Sequence, residues 1–91
     1  MPTRKFDEAL ELLVLEYLAD YDIPEERTPF EADLFEYLEV ERPGYSRDEV
    51  MQILELYAER GVEGTLPYWR LLWTGRERLE KLRKRRDRYS R

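Results

Sequence analysis

The chain has 91 residues, 41% of them charged and 42% apolar, with a formal net charge of −5. That length allows one domain with a small core, and that composition is globular rather than disordered. Cysteine and histidine are both absent, which excludes a disulfide framework, leaves any metal site to carboxylates alone, and removes the usual base that activates a nucleophile.

The first predicted element is a helix from about Thr3 to Tyr21. Phe6, Ala9, Leu10, Leu13, Tyr17, Leu18 and Tyr21 recur at helical steps, Thr3 is placed to cap, and Ile23-Pro24 should end it. Leu12, Leu15 and Ala19 form a second apolar strip on the other side of the wheel. A helix packed on one side has no use for such a strip, so a further helix should cover it, from this chain or from a partner.

Thr28-Pro29-Phe30-Glu31 announces a second helix, with Thr28 as cap, Pro29 at the first helical position and Glu31 closing a capping box. Its stripe is Phe30, Leu34, Phe35 and Leu38, and Arg42-Pro43-Gly44-Tyr45 forms a turn. Ser46-Arg47-Asp48-Glu49 is a second capping box, with Tyr45 stapling onto Val50. The third helix buries Val50, Ile53, Leu54 and Tyr57 and should end at a left-handed Gly61, with Val62 packing after it.

Two short extended segments follow, 62–66 and 68–73. In the second, alternation puts Trp69, Leu71 and Trp73 on one face, and Pro67 makes the connection tight and irregular. Thr74-Gly75-Arg76-Glu77 is a third capping box, opening a last helix that carries Leu79 and Leu82 and frays from Lys84 onward. The expected fold is therefore mainly helical with a small β-hairpin, in the order α-α-α-β-β-α. Residues 1–83 form the domain and 84–91 a basic C-terminal tail.

This order resembles winged-helix domains, and the residue-level likeness is greatest over roughly 45–82. Trp69-x-Leu71-x-x-x-Gly75-x-x-x-Leu79 is similar to the aromatic-x-Leu-Thr-x-x-Gly-x-x-x-Leu signature of PadR-like regulators, and Trp73 agrees with a related winged-helix group carrying Leu-Thr-Trp-x-Gly. The threonine of that signature is Leu72 here. It would cap the last helix, so Thr74 is expected to take over and start the helix later.

Function follows from what the pattern excludes and what the resemblance implies. There is no helical span of about 18 apolar residues and no leader-like N-terminus, so a cytoplasmic protein without membrane contact is expected. The serines and threonines fall mostly at caps, Gly61 and Gly64 lack a phosphate-loop lysine, and adjacent acids arise by chance among 21. No catalysis, cofactor or metal is expected. The scarcity of Asn and Gln alongside abundant Glu and Arg fits a thermophilic source and high-GC codon usage equally.

The resemblance implies DNA binding by the third helix, with base contacts from Arg47, Met51 and Gln52 and phosphate contacts from Arg70. Asp48, Glu49, Glu55 and Glu59 on the same helix oppose it. Residues 1–68 hold 6 Lys/Arg against 18 Asp/Glu, whereas residues 69–91 hold 10 against 3. Arg76, Arg78, Lys81, Arg83, Lys84, Arg85, Arg86 and Arg88 are thus a second candidate contact with nucleic acid, or a solvated helix end drawn to the acidic body. Leu12 and Leu15 can mate with Leu79 and Leu82, either within one chain or as the seam of a homodimer. The leading expectation is a DNA-binding or transcription-regulating module. The alternative is a protein-interaction adaptor acting through its acidic surface.

Overall fold

A computed structural model describes residues 6–21 and 28–89 of the chain, with side chains described as far as residue 86. The predicted caps at Thr3 and Ile23-Pro24 lie outside the described residues. The helix between them, α1 (Glu8–Asp20), is capped instead by Asp7, whose carboxylate accepts the backbone N–H groups of Ala9 and Leu10. An acid suits that end, where unpaired N–H groups and the helix dipole favour negative charge. Leu10, Glu11, Val14, Leu15 and Leu18 are the buried residues of α1, and they form one continuous arc of the helix.

α2 (Glu31–Glu41) begins later than the Thr28-Pro29 signal implies, and its capping box does not form. Phe30 stands at the cap position without a side-chain bond. The cause is tertiary. Thr28 Oγ1 donates to Glu63 at 3.0 Å, and the Pro29 carbonyl accepts the Trp69 N–H at 3.1 Å. Phe30 also bridges antiparallel to Tyr68. The segment before α2 is held extended against the hairpin, like a one-residue third strand.

Arg42-Pro43-Gly44 then turns the chain, with Gly44 at a φ of +83° that only glycine adopts without strain. α3 (Arg47–Tyr57) starts as expected at Ser46, which accepts the Glu49 N–H at 3.3 Å. The reciprocal bond is diverted: Glu49 Oε1 accepts the N–H of Asp7. Val50, Ile53 and Leu54 are its buried face.

α3 does not end at a left-handed Gly61. It passes directly into β1 (Ala58–Glu63), which pairs antiparallel with β2 (Leu66–Leu71) from Ala58↔Leu71 to Glu63↔Leu66. Gly61 lies inside β1 opposite Tyr68, and a Cβ there would fall 2.2 Å from Tyr68 Cζ, so the glycine makes room for the ring. The left-handed glycine is Gly64, at φ +66° in the two-residue Gly64-Thr65 turn. The hairpin is therefore regular, and Pro67 sits within β2 opposite Val62 rather than in the connection.

The alternation through β2 stops two residues early. Trp69 is 4% exposed, but Trp73 is 69% exposed and is the first residue of α4 (Trp73–Tyr89). The helix starts earlier than Thr74 would allow, with the Leu72 carbonyl accepting the Arg76 N–H, and it continues through Tyr89 rather than fraying at Lys84. Gly75 explains the early start. It is buried where a Cβ would lie 2.5 Å from the Tyr57 carbonyl oxygen, and that carbonyl also accepts the Leu72 N–H. The close approach brings the head of α4 onto the end of α3.

α4 packs against α1, and its Leu79 and Leu82 are buried with Leu15, while Leu12 is half-buried at the edge. The second strip of α1 is thus covered from within the chain. The architecture is α-α-α-β-β-α, a mainly helical, winged-helix-like arrangement with the hairpin as its wing. No helix among the described residues is long and apolar enough to cross a membrane.

Candidate functional site

The outer side of α3 and the hairpin is where a winged helix would read DNA. Arg47, Asp48, Glu55 and Leu56 are exposed there, and Met51 and Gln52 are half-buried. Arg47 lies over the Phe35 ring, its guanidinium 4.1 Å from the centroid, a cation–π contact that ties it to α2. Arg70 is on the outer face of the hairpin, 5.5 Å from the Tyr68 centroid and opposite Glu59 in the register. The tip, Gly64-Thr65-Leu66-Pro67, carries no cation. Arg47 and Arg70 are thus exposed and Gln52 is half-buried, and Asp48, Glu55, Glu59 and Glu63 of the same elements are exposed as well.

The cations of α4 are turned elsewhere. Arg78 grips Glu11 with two bonds, Nε to Oε2 at 2.7 Å and Nη2 to Oε1 at 2.9 Å. Glu11 is 1% exposed, so this pair is a buried, bidentate contact. It holds the Arg78 guanidinium above its ordinary pKa, chiefly through the bond to Glu11 and against the effect of burial. Tyr57 lies beside the same pair, and burial followed by the Glu11 charge pushes its phenol up. Arg85 pairs with Glu8, Arg86 with Glu16 at 3.1 Å, and Arg83 with Glu16 at 3.5 Å.

Of the remaining expected contacts, Lys84 reaches Glu80 one turn back at 4.0 Å, and Arg76 and Lys81 are exposed. The Arg88 side chain lies outside the described residues. Arg78, Arg83, Arg85 and Arg86 of the basic run are thus joined to the acidic body along α1, on a different element from the third helix. Leu15, Leu79 and Leu82 are buried in the single chain. A dimer seam built on them would require those side chains to leave the core.

Two features escaped sequence reasoning. Glu11 is a buried acid in the apolar strip of α1, and its signal was its position one turn before Leu15. The other is a cleft of about 500 Å³ between α2 and the hairpin tip, lined by Phe30, Phe35, Leu66 and Pro67 and by the carboxylates of Glu31, Asp33, Glu36 and Glu39, with Arg47 at its edge. It joins residues from elements far apart in sequence, and no spacing rule connects them. Among the described residues no group of three potential ligands could hold a metal ion. Compared with models of known protein families, with curated proteins and with solved structures, the chain matches none.

Proposed function

We propose that this chain is a non-enzymatic winged-helix adaptor that binds another protein through its acidic α2–α3–hairpin surface. The observation that carries the reading is the direction of the α4 arginines. Arg78, Arg83, Arg85 and Arg86 meet Glu8, Glu11 and Glu16 of α1, so they do not offset the carboxylates around α3. Duplex DNA draws most of its affinity from phosphate contacts by Lys and Arg, and a surface of net negative charge repels it. The DNA-binding reading keeps one point in its favour, the exposed Arg47 near the start of α3 with the half-buried Gln52 behind it. A cytoplasmic setting and the lack of a cofactor belong to the same proposal, on the absence of Cys and His.

Fluorescence anisotropy of labelled duplex and single-stranded DNA separates the readings. At about 50 mM salt the adaptor gives no saturable rise at protein concentrations of about 100 µM, the weak end of non-specific binding. A saturable rise that collapses as salt increases would show a regulator instead.

A further inference from the structure

We infer that the cleft between α2 and the hairpin tip is the docking site for a cationic peptide segment of a partner protein, anchored by one large apolar side chain. This deepens the protein-binding reading and rests on it. The floor is apolar: Phe30, Phe35 and Pro67 are partly or wholly covered, whereas Leu66 is 54% exposed at the hairpin tip. A leucine so exposed beside two phenylalanines offers a place for an aliphatic or aromatic anchor, and the cleft volume is that of an ordinary ligand site.

The rim fixes the charge of the occupant. Asp33, Glu36 and Glu39 follow one another at three-residue steps along the broad face of α2 that lines the cleft, so each lies about 4.5 Å further along the helix axis. None of the three makes an ion pair among the described residues, whereas Glu8, Glu11 and Glu16 of α1 all do. Glu31 is already engaged, accepting the Trp69 indole N–H at 3.0 Å, and Arg47 is held over Phe35. Three uncompensated carboxylates along an apolar floor complement Lys or Arg flanking an apolar residue, and they repel nucleic acid and anionic lipid alike. A second copy of this chain is a poor occupant, because Arg78, Arg83, Arg85 and Arg86 at its basic end are committed to its own α1.

The test is selection of a displayed library of random short peptides on the intact protein. The selected peptides are then titrated against the wild type, the charge reversal Glu36→Lys/Glu39→Lys, and Leu66→Ser. Expected are sequences with Lys or Arg around a Leu, Ile, Phe or Trp, whose affinity falls by about tenfold or more in each variant, as for loss of complementary charge at an interface. Amide shifts of the wild type should move at residues 32–39 and 66–67, which reports the site without any substitution. All the substituted side chains are exposed, and circular dichroism verifies that the variants fold. Enrichment of neutral or acidic peptides, binding indifferent to both variants, or shifts confined to the exposed Leu72–Trp73 corner would overturn the cleft and leave an adaptor with another docking face. No enrichment together with salt-sensitive DNA binding would overturn both readings.

Discussion

Gly75 stands where α4 crosses the end of α3, and its missing side chain is a packing requirement. Alanine is the better helix former, by up to about 1 kcal/mol. At this position its Cβ would meet the Tyr57 carbonyl and Leu71 Cδ1 at 2.5 Å, and a backbone atom in a hydrogen bond cannot swing aside. Gly75→Ala should therefore destabilise the fold by about 1–3 kcal/mol, the range for overpacking, read as a lower urea midpoint. Gly61→Ala meets only the end of the Tyr68 ring, which can rotate away, so its loss should be smaller. The buried pair behaves differently. Arg78→Ala leaves Glu11 without its cation at 1% exposure and should cost about 3 kcal/mol. The double change Glu11→Gln/Arg78→Met should recover much of that in the same denaturation assay. Tyr57 and Tyr37 both have phenols raised above their ordinary value of 10.0, each first by burial. The folded state thus keeps their protons where the unfolded chain loses them. Stability should be unaffected by them below about pH 10 and should fall as pH rises beyond it. Tyr57→Phe should flatten that alkaline fall in urea titrations. At this scale the aromatic-x-Leu spacing before Gly75 was legible, while its reason was not: it is a contact with Tyr57, eighteen positions earlier in the chain.

Each helix start shows local signals competing with tertiary ones. Ser46 caps α3 as its sequence says, its hydroxyl accepting the Glu49 N–H, and no other bond to it is found among the described residues. Thr28 also carries a capping-box signal, but its hydroxyl bonds Glu63 of the hairpin, and Pro29 and Phe30 are taken into contact with β2. Thr74 fails because the strand ends at Leu71, and helix begins at Trp73 once Gly75 permits the approach. Alternation alone could not show that Trp73 had left the strand, since helix and strand patterns overlap over so few residues. The seating of α4 on α1 was legible as two leucine strips in search of partners, and the chain supplies both. Its hold is mainly apolar. Leu82→Ala should cost about 2–5 kcal/mol through lost burial and the cavity left. Arg85→Ala and Arg86→Ala remove half-exposed pairs worth about 0.2–1 kcal/mol each, screened further by salt. Thermal unfolding of the three variants at low and high salt ranks the two contributions, and a larger loss from the arginines would reverse the assignment.

At the scale of the molecule, charge is sorted rather than mixed. The division between an acidic body and a basic end was plain in the sequence, but not which acids the basic end would meet. The answer, Glu8, Glu11 and Glu16, depends on α4 lying across α1, and it leaves α2 and α3 with carboxylates facing outward. Winged-helix order alone would suggest DNA, yet function resides in the surface a fold presents and not in the fold. The described arginines of α4 would be a phosphate-binding strip if their partners were removed. Glu8→Gln/Glu16→Gln removes the α1 carboxylates that Arg83, Arg85 and Arg86 meet, while keeping the buried Glu11–Arg78 pair. Anisotropy of labelled single-stranded DNA at about 50 mM salt should then show binding by this variant that weakens with added salt, and none by the wild type at about 100 µM. Equal binding by both proteins would mean that the cations were available to nucleic acid from the start, and the adaptor account would fail.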